Sequence, residues 1–149
     1  MKFPYRKLFQ LDRLTGDVEL ILRPEVVVTI HGPHSSMTVS GVADTGSDTT
    51  VLPCSIGRQL GLKLVAAKRG GVGFGGNSFD FYTAEAELEI EADGESICWK
   101  TVVNFAEFSS ESTETVIFGQ AGFLEYFRAT FDWDKARLAL KANQRLRAN

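Results

Sequence analysis

Apolar and polar residues alternate most regularly over Tyr82 to Glu91. Tyr82, Ala84, Ala86, Leu88 and Ile90 take turns with Thr83, Glu85, Glu87, Glu89 and Glu91. A period of two predicts a long strand with one buried and one solvated face. Asp93-Gly94 then carries the hairpin turn signal, and Ile97 to Phe105 reads as the returning strand. A second hairpin is predicted upstream. Val26 to Ile30 is an apolar run rich in β-branched residues, His31 to Ser35 is turn chemistry, and Met37 to Ala43 is the partner strand. Ser55 to Leu62 follows Pro53 with apolar residues at helical spacing, which predicts a short helix. The glycines of Gly70 to Gly76 exclude a helix interior there. Phe108 to Thr115 reads as a polar loop, Thr115 to Phe118 as a short strand ending at Gly119, and Gln120 to Phe127 as one or two helical turns. Arg128 to Phe131 and Arg137 to Leu140 form a last hairpin around Trp133-Asp134-Lys135. The elements add up to a small, mostly antiparallel β-barrel or sandwich with one or two short helices.

The chain has 149 residues and one composition throughout, which suits one domain. Residues 1–24 read as a leading arm, 25–141 as the body and 142–149 as a tail. A hydrophobic share of 44% with 23% charged residues excludes disorder for most of the chain. A net charge of -3 argues against a nucleic-acid partner, which calls for a basic surplus. No run is long and apolar enough to span a bilayer, and the start lacks a signal-peptide core. The expectation is therefore a soluble, cytoplasmic protein with no membrane partner. Cys54 and Cys98 are then expected as free thiols.

One motif carries chemistry: Val42-Ala43-Asp44-Thr45-Gly46-Ser47-Asp48-Thr49-Thr50-Val51-Leu52-Pro53. A carboxylate ends an apolar strand, Gly46 lets the backbone turn tightly, and an apolar strand resumes. The plain alternative is a turn in which Asp44 caps backbone amides. Gly71 to Gly76 matches G-x-G-x-x-G in form, but a strand rather than a helix follows it, so a nucleotide site is rejected. His31 and His34 have no neighbouring ligand set for a metal, and no His is placed as the base of a serine triad. Cys54 reads as a small packed residue, and the Glu85 to Glu91 carboxylates as the wet face of a strand. No cofactor and no metal are expected.

With these residues in hand, the chain resembles the retropepsin-like aspartic proteases, the single-lobe relatives of pepsin. Three segments carry the resemblance: Asp44-Thr45-Gly46-Ser47-Asp48 with Val51-Leu52-Pro53; the glycine-rich stretch Gly73-Phe74-Gly75-Gly76; and Val116-Ile117-Phe118-Gly119 followed by Phe123-Leu124. Gly119 to Leu124 with Phe131-Asp132 downstream is most similar to bacterial members. The resemblance implies a closed antiparallel β-barrel of the acid-protease type. It also implies Asp44 as the catalytic carboxylate, with Thr45, Gly46 and Ser47 supporting its loop. Asp48 and a flap of Gly73, Phe74, Gly75 and Gly76 are implied to meet an extended peptide substrate.

Peptide hydrolysis by this route needs two carboxylates sharing one proton around a water. The chain holds one Asp-Thr-Gly and no Asp-Ser-Gly. A second Asp44 must come from a second copy, so a homodimer is expected. The family's pattern implies that the Thr45 hydroxyl bonds across the dimer axis. The Ser47 hydroxyl is expected to donate towards the Asp44 carboxylate. Retroviral members carry Arg after the glycine matching Gly119, whereas this chain has Gln120, which removes the ionic partner expected for Asp48. A catalytically idle, dimeric peptide-binding or assembly module on the same fold is the alternative. A monomeric barrel binding a small ligand would require the motif to be coincidence.

Overall fold

The computed structural model describes residues 1–67, 70–72, 78–107 and 115–147. In chain order the elements are β1 (Lys2–Pro4), β2 (Arg6–Leu11), β3 (Val18–Arg23), β4 (Glu25–His31), β5 (Ser36–Ala43), β6 (Val51–Pro53), α1 (Cys54–Gln59), β7 (Val65–Ala66), β8 (Gly71–Val72), β9 (Ser78–Phe79), β10 (Phe81–Ala92), β11 (Glu95–Ala106), β12 (Ile117–Phe118), a 3-10 turn (Leu124–Tyr126), β13 (Phe127–Asp132), β14 (Arg137–Ala142) and α2 (Gln144–Arg147).

Among the described residues, six strands close into a barrel in the order β11-β6-β12-β5-β4-β10, with β10 pairing back onto β11. The mostly β class, the closed barrel and the short helices agree with the expectation. The barrel is not wholly antiparallel, however. β6 runs parallel to β11, and β12 runs parallel to β5. The cause is that β12 inserts between β5 and β6, two strands that follow one another in sequence.

The long hairpin is fully formed, with Phe81 opposite Ala106 and Ala92 opposite Glu95. Asp93 and Gly94 take left-handed φ angles of 56° and 78°, which the Asp-Gly pair tolerates at its turn. The alternation of β10 buries Ala84, Ala86, Leu88 and Ile90. Val26, Val28 and Ile30 of β4 face them, and Trp99, Val103 and Phe105 of β11 complete that side of the core. Phe118 and Phe123 stack beneath the β5–β6 connection with ring centroids 4.7 Å apart. Trp99 lies against Phe127 and donates its Nε1–H to the Gly122 carbonyl at 3.2 Å.

Three expectations are refined. The helix expected over Gln120 to Phe127 shrinks to a single 3-10 turn, because Phe123 and Leu124 turn inward to the aromatic cluster. The residues read as a leading arm divide in two. Lys2–Pro4 pairs with β14, and Phe3 and Tyr5 are buried in the core, so this part belongs to the body. Arg6–Leu11 and Val18–Arg23 form a separate two-stranded ribbon. The tail holds α2, whose Leu146 packs on the core. The loop expected over Phe108 to Thr115 lies outside the described residues, except for Thr115. Cys54 is buried and Cys98 exposed, both as free thiols.

Candidate active site

Strand β5 ends at Ala43, and Asp44 begins the connection that leads to β6. The inserted strand β12 braces this connection from behind. The Asp44 amide donates to the Phe118 carbonyl at 3.0 Å. The amides of Gln120 and Ala121 donate to the carbonyls of Ser47 and Asp48 at 2.8 and 2.9 Å, and the Thr50 amide donates to the Ala121 carbonyl at 2.8 Å. Four backbone bonds thus tie the loop to the segment Phe118 to Ala121. Gly119 makes the approach possible, since a Cβ built there would lie 2.2 Å from the Thr49 carbonyl oxygen and 2.8 Å from that of Ser47. The Asp44 loop and the distant Gly119, legible as two separate motifs, meet at the Ser47 and Thr49 carbonyls.

Within the loop, the Gly46 amide donates to Asp44 Oδ1 at 2.8 Å. This bond orients the carboxylate and leaves its second oxygen without a partner among the described residues. Asp44 is half-buried, while Thr45, Gly46 and Asp48 are exposed. A loop braced on its inner side and open on its outer side can present a carboxylate to a water, a substrate or a second chain.

The Ser47 hydroxyl does not serve as expected. It donates to the Thr49 carbonyl at 2.9 Å, and its one proton is committed there. Ser47 therefore braces the turn instead of touching the Asp44 carboxylate. Gln120 turns to the main chain as well. Its Nε2 donates to the Thr45 carbonyl at 3.1 Å, so it clamps the backbone beside Asp44, and Asp48 has no ion pair among the described residues.

One supporting residue is absent from the sequence motif. Asn104 of β11 donates from Nδ2 to Thr49 Oγ1 at 2.9 Å, and its amide donates to the Thr50 carbonyl at 3.1 Å. The signal was a polar residue interrupting Thr101-Val102-Val103-Asn104-Phe105-Ala106, an otherwise apolar stretch of strand. The glycine-rich segment can be described only at its flanks, where Gly71–Val72 pairs antiparallel with Ser78–Phe79. Gly73, Phe74, Gly75 and Gly76 lie outside the described residues. His31 is engaged on both ring nitrogens, with Ser36 Oγ at 2.7 Å and Glu89 Oε2 at 2.9 Å. No group of three potential metal ligands occurs among the described residues, and no helix among them is long and apolar enough to cross a membrane.

No family model matches the chain, and no curated protein matches it. Among solved structures, the chain is similar to the EIAV protease complexed with the inhibitor HBY-793. The identity is 23%, the match covers 66% of this chain and 82% of that one, and the TM-score is 0.49. A likeness of that strength transfers no activity to this chain.

Proposed function

We propose that the chain is an aspartic endopeptidase that works as a homodimer, with one Asp44 from each copy. The observation that carries this reading is the Asp44 loop itself. A carboxylate at a strand end is oriented by the Gly46 amide and braced from behind through Gly119, on a loop whose outer side is exposed. Such a loop has the properties needed to meet its own symmetry mate: it is held in place, and it is uncovered. The single Asp-Thr-Gly of the chain then requires the second copy.

In this reading the two Asp44 carboxylates share one proton. The ionised one removes a proton from the bound water as the water oxygen attacks the peptide carbonyl carbon. The protonated one donates its proton to the carbonyl oxygen. The tetrahedral species then collapses as the amide nitrogen takes up a proton and leaves as an amine, with a carboxylic acid as the other product. Thr45 is assigned to bond across the dimer axis. Asp48 and Gly73-Phe74-Gly75-Gly76 are assigned to contact an extended substrate.

One observation favours a second reading, a dimeric peptide-binding module without turnover. Gln120 is neutral and engaged with Thr45, so Asp48 lacks the charge partner that the retroviral pattern supplies. One experiment separates the two. The wild-type chain and Asp44→Asn are compared on a broad peptide library from acidic to neutral pH. The peptidase reading expects a bell-shaped profile for the wild type and a loss of about a thousandfold or more for Asp44→Asn. Peptide binding without cleavage by the wild type supports the idle module. Equal cleavage by both proteins removes Asp44 from the mechanism.

A further inference from the structure

Among the described residues, the ribbon of β2 and β3 has no covering layer beyond its root, where Leu22 packs on the core. Pairing sets Lys7 opposite Leu22, Phe9 opposite Leu20 and Leu11 opposite Val18. Alternation puts these six on one face. Phe9 is 72% exposed, and Leu11, Val18 and Leu20 are each more than half exposed; Leu14 at the tip is 97% exposed. A two-stranded hairpin is marginal in water even without such a face. With about 150–200 Å² for each large apolar side chain, these five leave on the order of 600 Å² in contact with water. That stands at the top of what a monomer ordinarily exposes in one patch and approaches the roughly 800 Å² per partner of a standard interface.

The root of the ribbon lies beside the Asp44 loop. The Pro24 carbonyl, one residue past β3, accepts the Ala43 amide at 2.9 Å. Glu25 is opposite Val42, so β3 runs on past the end of β5 at which Asp44 sits. Arg6 and Arg23 both pair with the buried carboxylate of Glu25, at 3.0 and 3.7 Å, and anchor the root. The ribbon then extends for roughly 20 Å, six residues per strand.

We propose that this ribbon is a clasp that packs, apolar face to apolar face, on the same ribbon of a second copy of the chain. The inference rests on the dimeric reading of Asp44 and adds the device that holds the two copies together. A ribbon projecting past the Asp44 end must run alongside a partner whose own Asp44 loop faces it. Twofold symmetry then sets the two ribbons antiparallel, root to tip. The charges suit this arrangement. At the root Arg6 and Arg23 are taken up by Glu25, which leaves Lys7, while the tip carries Asp12 and Asp17 around Arg13 and is net negative. The net negative tip gives an anionic lipid surface no electrostatic hold on the end that would enter first.

The test is sedimentation equilibrium of the full chain over about 1 to 100 μM, a span that covers micromolar affinities. Phe9→Asp with Leu20→Asp is compared with the conservative Phe9→Leu. Both residues lie outside the core, so circular dichroism and thermal unfolding of the double variant should show an intact barrel. Val18→Ser with Leu14→Asp is a second disruption should the first fail to fold. The clasp predicts a dimeric wild type, a dimeric Phe9→Leu, and a dimer Kd raised about a hundredfold or more in the disrupted variants. A disrupted variant that folds and dimerises like the wild type overturns the clasp and leaves the shared-Asp44 reading intact. A clasp-dependent dimer that cleaves no peptide upholds the clasp and removes the peptidase reading. A wild type that is monomeric throughout overturns both. So does a monomeric wild type that binds phosphatidylcholine–phosphatidylglycerol vesicles through Phe9, which assigns the face to lipid.

Discussion

Gly119→Ala tests how the Asp44 loop is held. An ideal Cβ at this position lies 2.2 Å from the Thr49 carbonyl oxygen, 2.6 Å from the Thr49 carbonyl carbon and 2.8 Å from the Ser47 carbonyl oxygen. A methyl carbon needs about 3.5 Å, so the backbone on one side must move by roughly 1 Å. Every atom in the way is main chain, which cannot rotate aside as a side chain would. Forcing in one methyl group costs about 1–3 kcal/mol. The Gln120 amide bond to the Ser47 carbonyl, at 2.8 Å, sits at the same crossing, and its loss adds about 1 kcal/mol. The expected destabilisation is about 2–4 kcal/mol, or a melting temperature lowered by roughly 5–15 °C in a chain of this size. Gly46→Ala is the control. Its Cβ would meet only Asp44 Oδ1, at 3.3 Å, and the expected cost stays within about 1 kcal/mol. Urea and thermal unfolding at equal protomer concentration measure both variants. A Gly119→Ala protein that melts within about a degree of the wild type would refute the packing argument.

Ser47→Ala removes the hydroxyl bond to Thr49 and should cost about 1 kcal/mol in urea unfolding. Any pH profile of hydrolysis should keep its midpoints, because that hydroxyl does not reach Asp44. Cys98 is exposed, yet partial desolvation and the adjacent Glu87 carboxylate push its thiol up to about 11. Its alkylation near neutral pH should therefore run about a hundredfold slower than that of a free thiol, and Glu87→Gln should speed it, as read by mass spectrometry. Hydrogen bonds from Ser96 and His31 hold the Glu89 carboxyl below its ordinary range. The folded value is the lower one, so this stabilisation is complete above the ordinary glutamate pKa and is lost as pH falls through the folded value. Glu89→Gln should flatten that part of the stability curve in urea titrations between about pH 6 and about pH 3.

Much of this fold is legible in local sequence because its strands carry strong period-two patterns. Tyr82 to Glu91 states its strand, its buried face and its turn at Asp93-Gly94 without reference to the rest of the chain, since pleating alone puts alternate residues on opposite faces. The ribbon of β2 and β3 was legible in the same manner, with Val18, Leu20 and Leu22 spaced by two after Thr15-Gly16-Asp17. Its outer apolar face has no cover among the described residues, so it joins no layer that the pattern alone can assign. Gln120 to Phe127 shows the opposite limit. Its residues suit a helix, but Phe123 and Leu124 gain more by entering the aromatic core than by extending the turn beyond Tyr126.

The candidate site divides along the same line. By itself the sequence determined that a carboxylate follows an apolar strand at Asp44 and that a lone Asp-Thr-Gly cannot supply two acids. Those properties belong to covalent geometry and to counting. Only the tertiary structure decided that β12 enters between β5 and β6, that Gly119 lies against the Thr49 carbonyl, and that Ser47 and Gln120 spend their hydrogen bonds on backbone rather than on Asp44 or Asp48. The physical reason is that a hydroxyl or an amide side chain has several acceptors within chemical reach. Which of them it takes depends on where strands distant in sequence bring the carbonyls.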